Sequence, residues 1–335
     1  MLEYKTGVYL CKELNNGCRS SSTALGCEES GRFGPGQAAR HLHPIHRGAP
    51  KCRSSRGKLP SLGCWRRLEF ERGSNSALVP QIREACVKWG FFQVINHGVL
   101  HFLVDEMQSV AREFHALPNE EKMRYFSTDT ESRMRYETSF NVTQDKVFSW
   151  RDYLHHSCLP LAEMQDLWPD KPASYRYKYL LYSTRVRNLA KFLLELISES
   201  LDLPKDYINK AFNGCSRVMV LNFYPACPEP DLVLGIAPHS DPGSITLLLQ
   251  DHVEGLQVMH DDEWYSVKPI PYSFVVNLGD QTQILSNDKY KSPEHRAVVN
   301  SSEDQMSIPG NGESLVCPAS KLVEGSPSLC FIRII

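Results

Sequence analysis

The chain has 335 residues, 41% hydrophobic and 23% charged, a composition that suits a soluble globular protein of one large domain or two small ones. A formal net charge of −2 gives no reason to expect nucleic acid as a partner; no apolar run approaches the roughly 20 residues that span a bilayer, and no basic-then-apolar leader opens the chain. The 11 cysteines are scattered without a C-x-x-C pair, which points to reduced thiols in the cytoplasm rather than to a disulfide framework.

Charge is unevenly spread. Residues 1–73 hold 13 Lys/Arg against 6 Glu, a surplus of +7, so the remainder carries −9. An organelle transit peptide shares that bias, but no amphipathic pattern accompanies it, and Glu3, Glu13, Glu28 and Glu29 count against it. Residues 1–75 therefore read as a poorly ordered, atypical segment of low hydrophobicity. Order is expected from about Ala77, where Leu78, Ile82, Ala85, Cys86 and Trp89 recur at helical spacing. Gly90 stops that helix, and Phe91–Asn96 reads as a buried strand closed by His97-Gly98. A histidine at such a corner is expected to bond backbone rather than a metal. A second helix is predicted over His101–Ala116, followed by a short helical turn near Leu117–Lys122.

The stretch from Thr138 to Pro160 is polar and aromatic with little periodicity, as in a loop or edge hairpin near a site. Tyr175–Leu201 then carries the longest helical pattern and predicts a scaffold helix for a sheet. From Ser216 the period changes to 2. Short strands are predicted at Arg217–Tyr224, Leu234–His239, Ile245–Leu249, Leu256–Met259, Trp264–Val267, Phe274–Leu278, Gln281–Leu285 and Ala297–Asn300. Eight such strands separated by Pro, Gly, Asn or Asp indicate a double-sheet jelly roll or barrel.

Two phrases in this region carry chemistry. His239 and Asp241 are separated by one residue in Pro238-His239-Ser240-Asp241, and His295 follows 56 residues after His239 in Glu294-His295-Arg296. Residues i and i+2 of a strand share a face, so His239 and Asp241 can grip one ion together. Two imidazoles and one carboxylate are the donor set of facial-triad Fe(II) sites, which leave open positions on the metal.

The chain also resembles a known family. Trp89–Gly98, Asn222-Phe223-Tyr224-Pro225-Ala226-Cys227-Pro228, His239-Ser240-Asp241-Pro242, Asn277-Leu278-Gly279-Asp280-Gln281 and Lys291–Arg296 together are similar to plant 2-oxoglutarate- and Fe(II)-dependent dioxygenases. That family includes the flavonoid-oxidising enzymes and hormone-modifying oxygenases. Ser139-Phe140-Asn141-Val142 and Trp150-Arg151-Asp152-Tyr153 look most like its salicylate hydroxylase and jasmonate oxygenase branch. The resemblance covers about residues 77–308.

It implies a double-stranded β-helix (jelly roll) core, mainly β, with packed helices. It implies Fe(II) on His239, Asp241 and His295, 2-oxoglutarate as cosubstrate, O2, and ascorbate as a further cofactor. Tyr224 and Asn222 would contact the cosubstrate, and Phe140, Tyr153 and Phe223 are candidates for the substrate pocket. Chemically, the family couples decarboxylation of the keto acid to succinate and CO2 with oxidation of a C–H bond. The expected organisation is a helical or mixed region at 76–170, a scaffold helix at 171–213, the dioxygenase jelly roll at 214–310 and an atypical tail at 311–335. The expected assembly is a cytoplasmic monomer with a small-molecule substrate, no nucleic acid and no membrane.

Three departures stand out. The family's R-x-S triplet reads Gln305-Met306-Ser307 here, keeping the hydroxyl and losing the cation that would meet the distal carboxylate of 2-oxoglutarate. An amide offers a donor without charge or planar fork, and a buried carboxylate deprived of its cation typically loses about 2–5 kcal/mol. Arg296 neighbours His295 on one strand and so should point away from it. Secondly, Pro309-Gly310-Asn311-Gly312 predicts a turn and an early end to the core. Thirdly, Cys64–Asn75 shows no strand ahead of the first helix, where the family has one. The expected function is oxidation of a small flavonoid, phenolic acid or hormone. The alternative is a catalytically weak relative that binds a metabolite or a protein, whereas a metal-free structural jelly roll is opposed by the triad.

Overall fold

The structure, a computed structural model, describes residues 67–69, 75–129, 132–138, 149–158, 161–212, 216–313 and 319–323. Expectations about residues 1–66, Phe140 and residues 324–335 lie outside the described residues.

The first half runs β1 (Arg67–Glu69), α1 (Asn75–Lys88), β2 (Phe91–Ile95), α2 (His101–His115), α3 (Asn119–Lys122), β3 (Met134–Thr138), β4 (Asp152–Ser157), α4 (Leu161–Met164), α5 (Tyr175–Ser200) and α6 (Tyr207–Ala211). The second half runs β5 (Ser216–Tyr224), β6 (Ile236–His239), β7 (Ile245–Gln250), β8 (Leu256–His260) and β9 (Glu263–Ser266). It continues with β10 (Phe274–Leu278), α7 (Asp280–Leu285), β11 (His295–Ala297), β12 (Gln305–Glu313) and α8 (Ser320–Val323).

Two sheets result. The larger has eight strands in the order β1-β2-β10-β7-β12-β5-β4-β3, and the smaller has four in the order β6-β11-β8-β9. Period-2 alternation sorts the side chains of the large sheet. Met219, Leu221, Leu247, Leu249, Phe274, Val276, Met306 and Ile308 belong to the main core with the helices. Their neighbours Asn222, Tyr224, Thr246, Leu248, Asn277 and Ser307 turn towards the small sheet. Helix α5 closes the outer face with Tyr175, Tyr179, Tyr182, Leu189, Leu193 and Ile197, and α1 and α2 pack beside it. The fold is the expected jelly roll with helices outside.

Gly90 makes the first corner. Its φ is +62°, and a Cβ there would lie 2.4 Å from the Lys291 carbonyl and 2.8 Å from Pro293 Cδ. Only glycine lets the end of α1 sit against the segment that leads to His295.

The strand expected at Ala297–Asn300 lies earlier, as β11 (His295–Ala297), and local sequence signals failed outright in three places. Gln281–Leu285, expected as a strand, is helix α7. Its run Gln281-Thr282-Gln283 has no apolar alternation, and Gly279 caps it in extended conformation with Asp280 in the first turn. Pro309–Gly312, expected as a turn, lies inside β12, which β5 and β7 flank on both sides. Proline lacks the N–H a ladder needs, and pairing to β5 is interrupted at Ile308 and Pro309, then resumes at Gly310 opposite Met219. Thirdly, a strand does precede the first helix. β1 pairs in parallel with β2, Leu68 opposite Val94, and Leu68 is fully buried. Three residues carry too little pattern to be read as a strand; the open edge of β2 supplies it.

This last contact is testable. Leu68→Ala should lower stability by about 2–5 kcal/mol in equilibrium urea unfolding. An unchanged midpoint would mean that β1 is not part of the folded core.

Candidate metal centre

His239 ends β6 and His295 begins β11, and antiparallel pairing sets the two opposite each other. Their rings lie 4.3 Å apart between centroids. Asp241 follows β6 by two residues, and its Oδ1 is 3.7 Å from His239 Nε2 and 3.6 Å from His295 Nε2. Among the described residues this is the group of His, Cys, Asp and Glu able to hold a metal, with its ligand atoms within 4.8 Å of one another.

Each ligand presents one atom inward and anchors the other. His239 Nδ1 donates to the Ala237 carbonyl at 2.9 Å, and His295 Nδ1 donates to Pro293 O at 3.1 Å. Both tautomers therefore leave a lone pair on Nε2. Asp241 Oδ2 accepts from Thr246 Oγ1 at 2.5 Å and from Asn277 Nδ2 at 2.8 Å, which leaves Oδ1 for an ion. Desolvation in the barrel, then the adjacent His295 ring, push His239 down to about 4, so it is a neutral donor at pH 7. Burial alone would raise the Asp241 carboxyl. The two imidazoles and the bonds from Asn277 and Thr246 outweigh it and hold the group below its usual range, ionised. Two imidazoles and one carboxylate, each oriented by a fixed partner, are a donor set that fits Fe(II).

The loop that follows β10 supports this arrangement from beneath. Gly279 N–H donates to Ser244 O and Asp280 N–H to Asp241 O, each at 2.8 Å. A Cβ on Gly279 would lie 2.1 Å from the Gly243 carbonyl, so the close approach requires glycine. Asn277, Thr246 and Gly279 are thus functional residues to which sequence reasoning assigned no role. Asn277 and Gly279 stood in a quoted motif, whereas Thr246 gave no local signal.

A cavity opens over the triad between the two sheets. Its polar wall comes from β5, β12 and β7. Tyr224 faces Gln305 and Asn222 faces Ser307 across β5 and β12, and Ser307 faces Gln250 on β7. Asn222 Nδ2 donates to Ser307 Oγ at 3.2 Å, with Tyr224 two residues along the same strand. The amide of Gln305 packs on Gly255, where a Cβ would come within 2.2 Å of its Nε2, and its buried Oε1 has no partner. Hydroxyls, amides and an unsatisfied polar atom beside the triad suit a polar, oxygen-rich cosubstrate. Phe91, Ile236, Leu248 and Leu256 add apolar surface to the lining.

The other expected residues are placed differently. Phe223 is corrected. It sits between Asn222 and Tyr224 and so turns to the outer face, where it stacks on His115 at 5.1 Å. Tyr153 faces inward beside Asn222, with its hydroxyl bonded to the Glu137 carboxylate. Arg296 turns away from the cavity centre: Nε bonds Gln257 at 2.8 Å and the guanidinium lies 4.1 Å over Trp264. His97 binds backbone, accepting from Val99 N–H at 3.2 Å and donating to Tyr272 O at 2.7 Å. A second cavity lies behind the sheet, between α5 and β12, with no carboxylate or imidazole in its lining.

Removing either anchor of Asp241, by Thr246→Val or Asn277→Ala, should weaken Fe(II) binding about 10–100-fold while the fold is retained. Competition with a metal chelator under anaerobic conditions measures it. Wild-type affinity in both variants would show that the anchors do not orient the carboxylate.

The chain is similar to known proteins. Residues 215–311 match the 2OG-Fe(II) oxygenase superfamily, and residues 66–174 match the non-haem dioxygenase in morphine synthesis N-terminal family. Protein DMR6-LIKE OXYGENASE 1 of Arabidopsis thaliana is 47% identical over 266 residues, 78% of this chain and 76% of the relative. Flavanone 3-dioxygenase 2 of Oryza sativa subsp. japonica is 43% identical over 259 residues, 77% of this chain and 75% of its own. Among solved structures, JOX2 in complex with 2OG, Fe and JA superposes with a TM-score of 0.71 at 35% identity, over 79% of this chain and 82% of that one.

Proposed function

The chain belongs to the 2OG-Fe(II) oxygenase superfamily, and from that premise we propose that it oxidises a small flavonoid, phenolic acid or hormone-like plant metabolite. The enzyme is a 2-oxoglutarate-dependent dioxygenase, with Fe(II) and 2-oxoglutarate as its cofactors. The observation that carries the reading is the convergence of His239, Asp241 and His295 on one point, each with its second polar atom anchored.

Bound there, the iron and the keto acid would activate O2 for C–H oxidation, the keto acid being oxidised in the process to succinate and CO2. The protein's residues bind, orient and exclude. His239, Asp241 and His295 hold the metal. Asn222, Tyr224, Gln305 and Ser307 form the polar row that orients the cosubstrate. Phe91, Ile236, Leu248 and Leu256 supply apolar surface in the same cavity, which suits an aromatic or alicyclic substrate and limits water. Tyr153 belongs to the proposed substrate side.

The flavonoid and hormone classes are supported by relatives named as flavanone 3-dioxygenase, naringenin,2-oxoglutarate 3-dioxygenase and jasmonate-induced oxygenase. A non-catalytic binding role gains no support from the relatives or from the intact triad. Among the described residues no helix is long and apolar enough to cross a membrane, and we place the enzyme in the cytoplasm as a monomer.

The test is anaerobic titration with Fe(II) and then 2-oxoglutarate, followed by aerobic incubation with a flavanone, a hydroxybenzoate and a jasmonate. The expected result is a metal-to-ligand absorption band, then succinate release stimulated by one of the three classes. His239→Ala, Asp241→Ala and His295→Ala should each abolish Fe(II) binding and turnover with little change in circular dichroism. Wild-type metal affinity in all three, or no stimulation by any class, would overturn the reading.

A further inference from the structure

We propose that this chain reads the distal end of its keto acid through two side-chain amides, Gln250 and Gln305, by hydrogen bonding rather than by charge, so that a neutral carboxamide is accepted there as well as a carboxylate. The proposal rests on the dioxygenase reading above and deepens it, adding Gln250 to the pocket's binding residues and a second chemical class to its ligands.

Both glutamines line the cavity over the triad. Gln250 stands opposite Ser307 across β7 and β12, and Gln305 lies two residues before Ser307 on β12, so alternation turns all three to the inner face. Diagonal neighbours of this kind lie roughly 7–8 Å apart, within reach of two long side chains that share one terminal group. The backbone fixes the pair. Met306 N–H donates to Asp251 Oδ2 at 2.8 Å and Asp251 N–H donates to Met306 O at 3.2 Å, which ties the residue after Gln250 to the residue after Gln305. Gly255 leaves room for the Gln305 amide, since a Cβ there would lie 2.2 Å from its Nε2.

The amide oxygens of Gln250 and Gln305 are buried and have no hydrogen-bond partner. Their neighbours in the polar row are committed to one another: Asn222 Oδ1 accepts from Arg151 Nη1 at 2.9 Å, and Asn222 Nδ2 donates to Ser307 Oγ at 3.2 Å. A buried acceptor without a donor is unfavourable. A carboxylate brings only acceptors, whereas a carboxamide brings an oxygen and an N–H2 group. Two amides therefore match a third, and they meet a carboxylate through their own N–H2 groups. Charge does little to separate the two ligands. Arg296 is the one lysine or arginine in the lining among the described residues, and its guanidinium is engaged with Gln257 and Trp264. Arg151 stands outside the lining, bonded to Asn222 and 4.3 Å over the Tyr153 ring.

The experiment uses three mimics of the keto acid that chelate through the same oxalyl group. N-oxalylglycine ends in a carboxylate, N-oxalylglycinamide ends in a carboxamide, and N-methyloxamate has no distal group. Calorimetric titration into the anaerobic Fe(II) protein gives each dissociation constant. In the wild type the first two should agree within about threefold, and N-methyloxamate should bind at least about tenfold more weakly than either. Gln305→Arg should turn parity into a preference for the carboxylate of at least about tenfold. Gln250→Leu should narrow the gap to N-methyloxamate several-fold while leaving N-methyloxamate itself within about twofold.

A wild type that prefers the carboxylate by about tenfold or more would overturn the proposal, as would a gap unaltered by Gln250→Leu. Should Gln250→Leu fail to fold, Gln250→Glu sets a carboxylate against the distal group and should favour the carboxamide by at least about tenfold; an unaltered ratio there would also overturn it. Absence of the 2-oxoglutarate absorption band in the same Fe(II) protein would instead refute the dioxygenase reading itself.

Discussion

The site depends on one pairing: His239 lies directly opposite His295 across β6 and β11. Antiparallel register fixes the separation of two side chains far apart in sequence, at a precision no loop could match. The third ligand is tied to the other sheet, because Thr246 on β7 and Asn277 on β10 both bond Asp241. The triad therefore spans the two sheets, and the packing that closes the jelly roll also closes the metal centre. Gly279 and Gly90 serve the same end, each allowing a backbone approach that any side chain would block.

The large sheet has two unlike faces. Its outer face joins a core in which Leu221, Leu247, Phe274 and Met306 meet the helices. Its inner face carries amides, hydroxyls and one guanidinium that are almost as deeply buried. Burying polar groups is unfavourable unless they are bonded. Here most are linked strand to strand, Arg151 to Asn222 to Ser307, with Tyr224 alongside. The oxygen of Gln305 is left without a partner. A stable fold would not need this polar row. Its presence beside a metal-ligating triad is what makes the cavity a site rather than a packing defect.

Much of this was legible beforehand. The period change at Ser216, the helical pattern of Tyr175–Leu201 and the His239, Asp241 and His295 spacing are local or motif-level signals, and each has a direct physical meaning. The misreadings have one cause. Pro309-Gly310-Asn311-Gly312 has the composition of a turn, yet strands on both sides hold it extended. Residues 67–69 are too few to show a pattern and become a strand because β2 offers an edge. Phe223 was placed in the pocket by its company in a motif, although alternation with Asn222 and Tyr224 already sent it to the other face.

The sequence by itself determined the fold class, the metal donor set and the loss of the cation at residue 305. These are matters of residue type, period and spacing, which survive without knowing what lies alongside. Only the tertiary structure decided what anchors Asp241, which face each residue of β5 presents, and that a buried guanidinium stands behind Asn222 and Tyr224. Such facts depend on which strand pairs with which, and at what register. That register is set by packing over the whole barrel, so no local window contains it.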